Sequence, residues 1–205
     1  GMVNIHAHPT TEPIRKGITD ETLSPGFWHS SLYEHLPVFD PVDDQGRLAC
    51  LKVALAELLL SGVTTLVDLS SPFEGWEETL LDSGIRAFVA PCFRDARWFT
   101  TNGHSLEYDW NYEAGQRAFS TAREIVESAV RHPSGRLSAV VSPSQVDTCS
   151  EALLRDSHAF AQDHNLSWKI HAAQSVTEFQ EMQHRHGMTS VQWLDSLGVL
   201  DERSV

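Results

Sequence analysis

Ser61-Gly62-Val63-Thr64-Thr65-Leu66-Val67-Asp68 is the stretch that decides the fold, because it joins the end of a helix to a strand. The Ser-Gly pair ends the helix, since glycine adopts the left-handed conformation that helix ends require. The β-branched run that follows is typical of a strand. Before it, residues 48–60 form a helical pattern that is apolar nearly all round, broken only by Lys52 and Glu57. A helix with so little polar surface is expected to be heavily buried.

The same alternation of helix and strand repeats on both sides of this stretch. Strands are predicted at 3–8, 63–68, 85–91, 137–141 and 166–171, helices at 74–82, 113–131, 150–163, 176–186 and 190–197, and long loops at 9–45 and 93–112. Strands that alternate with helices pair in parallel through right-handed crossovers. The pattern therefore predicts an α/β fold with about five parallel strands, which a (β/α)8 barrel and an open doubly wound sheet would both satisfy.

The composition of the chain disfavours some classes of binding partner. The 205 residues carry a formal charge of −13, which disfavours nucleic acid and anionic membrane surfaces. No apolar run approaches the roughly 20 residues of a membrane helix, and no signal-peptide pattern opens the chain. The three cysteines are widely separated and odd in number, so we expect no disulfide framework and a cytoplasmic location.

Two histidines stand at the end of the first predicted strand, in Asn4-Ile5-His6-Ala7-His8. Residues two apart on a strand face the same side, so His6 and His8 point together. Two neutral imidazoles at the carboxyl end of a parallel strand are suited to bind a divalent metal. The alternative is two unrelated polar residues at a junction between a strand and a loop.

A third histidine, His171, closes the fifth predicted strand in Lys169-Ile170-His171-Ala172-Ala173-Gln174. A lone histidine there is either a further metal ligand or a hydrogen-bonded core residue. Lys169 shares its face of the strand, and a buried ammonium requires a carboxylate partner, for which Asp68 is the candidate. The alternative for Lys169 is a side chain that faces a helix and extends outward to water.

Taken in order, these segments resemble the amidohydrolase superfamily. His6-Ala7-His8 resembles its first-strand H-x-H, and the stretch at 61–68 is similar to the segment that leads into its second strand. Gly84-Ile85-Arg86-Ala87 matches the start of the third strand, and Pro143 with Asp147-Thr148-Cys149-Ser150 resembles the region after the fourth. Ile170-His171-Ala172-Ala173-Gln174 resembles the end of the fifth. The nearest branch holds cytosine, guanine and adenosine-type deaminases and triazine hydrolases.

The resemblance implies a partial (β/α)8 TIM barrel and one divalent ion, Zn²⁺ or Fe²⁺, bound by His6, His8 and His171. It also implies a further histidine on the sixth strand and an aspartate on the eighth, and both are expected beyond Val205. Residues 1–205 then form the N-terminal part of a metal-dependent hydrolase barrel, truncated before the sixth strand. The catalytic residue is therefore not assigned, because the family aspartate would lie beyond Val205.

Two departures from the family bear on the reaction. Deaminase-like relatives carry a glutamate at the position of Gln174, and glutamine has no proton to transfer at any useful pH. They often carry a histidine at the position of Ser144, which Gln145 follows here. Both departures favour hydrolysis of a cyclic amide over deamination of a nucleobase-like or triazine-like ring. The residues predicted to contact a small-molecule substrate are Gln174, Gln145, Ser144, Trp98, His104 and Glu12.

A barrel without its last strands leaves open sheet edges, so self-association through those edges is expected. A catalytically inactive chain is the remaining alternative, because two of the family's metal ligands are absent from these residues.

Overall fold

The computed structural model describes residues 1–16, 43–102 and 105–205. The described residues group into two compact units. Unit 1 contains 1–16, 43–92 and 122–140, and unit 2 contains 93–102, 105–121 and 141–205. Two expectations fall on other residues: His104 and most of the predicted loop at 9–45 lie outside the described part of the chain.

Unit 1 contains four parallel strands. Their bounds are β1 Met2–Ala7, β2 Val63–Ser70, β3 Arg86–Phe93, whose last residue belongs to unit 2, and β6 Leu137–Ala139. They pair in the order β1-β2-β3-β6. Ala7 pairs with Asp68, and Asp68 pairs with Val89, so the carboxyl ends of the first three strands lie at one edge. The parallel pairing that the alternation predicted is confirmed.

One helix of unit 1 differs from the prediction in its burial. The helices of this unit are α1 Glu12–Lys16, α2 Asp44–Leu60 and α3 Trp76–Ser83. Helix α2 begins four residues before its predicted start, because the Asp43 side chain accepts a hydrogen bond from Gly46 N and caps it. The expectation that this helix is heavily buried is wrong. It buries Leu51, Ala54 and Leu55, whereas Leu60 is 90% exposed and Val53 is 51% exposed.

Helix α4, Tyr112–Arg131, spans residues of both units and confirms the amphipathic pattern. Its buried positions are Phe119, Ala122, Val126 and Ala129, which are spaced three or four residues apart and so lie on one face.

A hairpin stands in unit 2 where a long loop was predicted. Strands β4 Ala96–Phe99 and β5 Glu107–Trp110 pair antiparallel, with Trp98 opposite Tyr108. Each strand is only four residues long, and only β5 alternates charged with large aromatic residues. Such short segments carry a weak periodic signal, which is why the sequence pattern did not reveal them.

The rest of unit 2 consists of a short strand, three helices and irregular extended segments. The elements are β7 Ser142–Pro143, a 3-10 turn at Val146–Thr148, α5 Glu151–Asp163, α6 Val176–His186 and α7 Ser190–Ser196. No helix among the described residues is both long enough and apolar enough to cross a bilayer.

The predicted strand at 166–171 is present only as isolated parallel bridges, Trp168 with Val141 and His171 with Gln145. Trp168 also forms a parallel bridge to Ser204. Val205 extends this contact, because its N–H donates to the Trp168 carbonyl oxygen at 2.9 Å. Residues 203–205 therefore run beside the His171 segment in parallel.

Candidate metal centre

His6 and His8 lie at the end of β1 with their rings together. The two Nε2 atoms are 3.1 Å apart, and the ring planes meet edge to face. Two nitrogens bound at about 2.0–2.1 Å to one tetrahedral zinc ion lie roughly 3.3 Å apart. The pair is therefore spaced as two ligands of one ion would be, with only a small adjustment.

The orientation of His8 is fixed by its other ring nitrogen. Its Nδ1 lies 3.1 Å from the carbonyl oxygen of Leu69, near the end of β2. A carbonyl oxygen only accepts hydrogen bonds, so Nδ1 carries the proton and Nε2 presents its lone pair to an ion. The His8 backbone N–H donates to Glu12 Oε1 at 3.1 Å. Glu12, predicted to contact substrate, is thus placed directly beside this histidine.

His171, in unit 2, has the same arrangement. Its Nδ1 lies 2.6 Å from the carbonyl oxygen of Ser144, so Nδ1 donates and Nε2 again presents a lone pair. Burial lowers the pKa of this imidazole, with a smaller opposing effect from the Ser144 hydrogen bond. A neutral ring is the form that binds metals. Because His171 and the His6–His8 pair belong to different units, their convergence stays a prediction.

Asp68, at the carboxyl-terminal part of β2, is a buried carboxylate with two neutral donors. Ser70 Oγ donates to Oδ1 at 2.5 Å and Trp76 Nε1 donates to Oδ2 at 2.8 Å. Burial, with a smaller contribution from the charge of Glu12, raises the pKa of Asp68 to about 6 against the effect of these two hydrogen bonds. The expected ion pair between Asp68 and Lys169 stays a prediction.

The other predicted substrate contacts lie in unit 2. Ser144 and Gln145 adjoin His171 through the backbone, and Gln145 Oε1 accepts a hydrogen bond from Thr148 Oγ1 at 2.9 Å. Gln174 is exposed, three residues after His171. The Trp98 indole donates to Asp147 Oδ2 at 2.9 Å, which ties the β4–β5 hairpin to the 3-10 turn. The contact of each of these residues with substrate stays a prediction.

The aspartate that the family carries on its eighth strand is expected beyond Val205 and stays a prediction. Val205 itself contacts the His171 segment through its backbone. Its N–H donates to the carbonyl oxygen of Trp168 at 2.9 Å, and its carbonyl oxygen accepts from Ile170 N at 3.1 Å.

Sequence reasoning gave no role to two buried acids of unit 2, Asp147 and Glu178. Asp147 is fully buried and accepts from Trp98 and also from the Tyr108 hydroxyl, at 2.8 Å to the same oxygen. Burial raises its pKa to about 6, against the effect of those hydrogen bonds. Glu178 follows the His171 segment and contacts its backbone. Only the Ser175-Val176-Thr177-Glu178 capping pattern signalled it.

Two solved structures of known proteins resemble the fold of this chain. An adenosine deaminase from Xanthomonas campestris, solved with bound zinc, superposes with a TM-score of 0.76 at 21% identity, over 100% of this chain and 43% of that one. An atrazine chlorohydrolase from Arthrobacter aurescens, complexed with zinc, gives a TM-score of 0.71 at 16% identity, over 100% of this chain and 47% of that one. These likenesses confirm the predicted fold class, part of a (β/α)8 barrel with about five parallel strands.

Sequence relatives agree with this fold. A 5'-deoxyadenosine deaminase from Methanosphaera stadtmanae is 26% identical over 206 residues, which cover 100% of this chain and 44% of that protein. This chain therefore spans less than half the length of the relatives that it matches. The Amidohydrolase family matches residues 1–205 in full. The chain belongs to the amidohydrolase family.

Proposed function

We propose that the protein is a metal-dependent hydrolase that cleaves a carbon–nitrogen bond, other than a peptide bond, in a small cyclic or heteroaromatic compound. The observation that carries the proposal is the His6–His8 pair, whose Nε2 atoms lie 3.1 Å apart at the carboxyl end of a parallel strand. Active sites of β/α barrels stand at these strand ends. Family membership supports the same reaction class.

One divalent ion is proposed to be held by His6, His8 and His171, with zinc preferred over iron. Neutral imidazoles suit zinc, and the structures that this chain resembles include zinc complexes. When bound, such an ion lowers the pKa of a water molecule towards neutrality and polarises the bond that is cleaved. The chain's own contribution is orientation, since the carbonyl groups of Leu69 and Ser144 fix the tautomers of His8 and His171.

Hydrolysis of a cyclic amide is the preferred reaction within this class. Gln174 can donate or accept a hydrogen bond from substrate, but it cannot transfer a proton. Glu178, the nearest acid in the same segment, is buried and occupied by hydrogen bonds to the backbone of Ala173 and Gln174. Neither side chain supplies the acid that ring deamination requires, so a reaction for which a bound ion would supply most of the activation fits better.

Deamination of a nucleobase-like or triazine-like ring is the second candidate. The observation that favours it is the set of relatives, which include deaminases of 5'-deoxyadenosine and of 5-methylthioadenosine or S-adenosylhomocysteine at 25–26% identity. Residues 1–205 alone are expected to turn over neither substrate measurably, since the family resemblance places further ligands outside them. A cytoplasmic location is proposed with both candidates, because the three widely separated cysteines fit a reducing compartment.

The test of the metal proposal is a zinc titration of the 205-residue chain, with His8→Ala compared with His132→Ala. His132 is half-buried, and its ring Nδ1 hydrogen-bonds Ser134 two residues away, so its loss is the control. Loss of a group that hydrogen-bonds a metal ligand costs about 10–100-fold in metal affinity. Loss of the ligand itself should cost at least as much. Equal zinc affinity in wild type and His8→Ala would refute the proposed centre.

The test of the reaction is a panel of ring amides and aminated heterocycles, assayed with a longer protein that contains these residues and carries its metal. Turnover of ring amides that ceases on chelation is the expected result. Ammonia release from nucleobase-like rings at ordinary enzymatic rates would instead establish the second candidate.

A further inference from the structure

The segment that follows His171 turns through an unfavourable backbone conformation. Ala173 has a φ of 57°, in the left-handed region that residues with a Cβ rarely adopt. Such a conformation persists only where surrounding contacts hold it. The turn lies between His171, a proposed metal ligand, and Gln174, a proposed substrate contact.

Glu178 supplies those contacts. Its side chain is almost fully buried, at 1% exposure. Oε1 accepts from Ala173 N at 2.6 Å, and Oε2 accepts from Gln174 N at 3.0 Å. The Ser190 hydroxyl, at the start of α7, also donates to Oε1. Both oxygens are therefore engaged, and two of the three donors belong to the turn itself.

The position of Glu178 in its helix makes this arrangement unusual. Ser175 caps α6 by accepting from Glu178 N at 3.0 Å, which is half of a capping box. In a complete box the glutamate reaches back to the N–H of the cap residue. Glu178 instead reaches the two residues before the cap, so its carboxylate holds the turn rather than the end of the helix.

We infer that Glu178 is the positioning residue of the His171–Gln174 segment, which it fixes by clamping the left-handed turn at Ala173. It does not replace the acid that Gln174 lacks, because its oxygens are already occupied. The clamp fixes the backbone from which the Gln174 side chain extends, and it holds the backbone that follows His171. The effect of this clamp on metal binding rests on the proposed function. The existence of the clamp does not.

The first test measures hydrogen exchange of the Ala173 and Gln174 amides in Glu178→Gln. Glutamine offers one acceptor and turns an N–H group toward the second donor. Exchange at these amides should become at least about tenfold faster, since hydrogen bonds to charged groups are among the stronger ones. The control is Glu151→Gln, which removes the same charge from an exposed pair with Arg155 and should leave both amides unchanged.

The second test is rescue by glycine. Glycine adopts positive φ without steric cost, so Ala173→Gly should restore much of the unfolding midpoint that Glu178→Gln loses. It should raise the midpoint of Leu153→Ala in the core by less, because there Glu178 still holds the turn and only the ordinary relief of strain is gained. If glycine fails to rescue Glu178→Gln, or rescues both variants alike, Glu178 is an ordinary buried acid and the inference is wrong.

Zinc affinity, measured on the same variants, separates the two proposals. Glu178→Gln should weaken zinc binding, by no more than the roughly 10–100-fold that loss of a group hydrogen-bonded directly to a metal ligand costs, and Ala173→Gly should recover part of it. Unchanged affinity would overturn the role of the clamp at His171. If wild type binds no zinc, the proposed function fails, while amide exchange and glycine rescue still decide whether the clamp exists.

Discussion

The Nδ1 atom of His171 lies 2.6 Å from the carbonyl oxygen of Ser144, and this contact decides which nitrogen of the ring can bind a metal. His8 makes the equivalent contact with the carbonyl oxygen of Leu69 in the other unit. In both cases a backbone group at the end of a neighbouring extended segment fixes the tautomer. A side-chain substitution cannot remove either acceptor, so the orientation depends on the fold rather than on a second side chain.

Gln174→Ala should raise KM more than it lowers kcat, in a longer protein that contains these residues and is active. The reason is that the amide can hydrogen-bond a substrate but cannot carry its proton. Steady-state kinetics on a ring amide would measure both constants. A fall in kcat by several orders of magnitude at constant KM would show that position 174 acts in the chemical step.

Asp147→Asn should change how stability depends on pH. The folded-state pKa of Asp147 is about 6, above its ordinary value of 3.8, so the wild type loses stability as pH rises from about 4 to about 6. The loss is at most about 3 kcal/mol from this residue, on the order of 1.4 kcal/mol for each unit of pKa. Asparagine can keep its oxygen where Oδ2 accepts from Trp98 and Tyr108, so these hydrogen bonds survive.

Urea unfolding of both proteins at pH 4 and pH 7 measures this difference. Asp147→Asn should become more stable relative to the wild type as pH rises. Asp147 Oδ1 has no hydrogen-bond partner in the described part of the chain, so the new amide group brings a constant cost at every pH. A difference between the two proteins that does not vary with pH would show that Asp147 does not titrate in this range.

Ile5→Lys should reduce self-association of the 205-residue chain. Ile5 and Val3 on β1 are each 61% exposed, and β1 pairs only with β2 among the described strands of its sheet. An exposed apolar edge strand pairs readily with another chain, and a lysine on such an edge opposes that pairing. Light scattering over a concentration series would compare the two proteins, with Glu113→Lys, an exposed change away from β1, as the control.

A wild type that stays monomeric at high concentration would refute the expected self-association. If Glu113→Lys disrupts assembly as strongly as Ile5→Lys does, assembly proceeds through net charge and not through the edge of β1.

Local patterns predicted the regular elements well, because their burial leaves a periodic signature. The strand at Val63–Ser70 lies between two parallel neighbours, and its β-branched residues reflect that. The pairing of His6 with His8 also followed from the two-residue period of a strand. Helix α2 was misjudged because apolar composition does not say which face is covered, and Val53 and Leu60 face outward.

Features that depend on distant partners were not predictable in the same way. The β4–β5 hairpin is held partly by Trp98 and Tyr108, which both donate to Asp147, 49 and 39 residues later in the chain. The segment at 166–171 pairs through single bridges to three different places, so it lacks the regularity that its sequence suggests. The Ser175–Glu178 pattern signalled a helix start, but not that the carboxylate would bind the turn before it.

The central claim is that three histidines share one ion, and X-ray absorption at the zinc edge tests it most directly. The zinc-loaded 205-residue chain should show three imidazole nitrogens at about 2.0–2.1 Å, and His171→Ala should reduce the count to two. His184→Ala is the control, because that side chain is 84% exposed on α6 and should not change the spectrum. An imidazole count that is the same in His171→Ala as in the wild type would contradict the proposed centre. Sulfur ligands in the wild-type spectrum would contradict it as well.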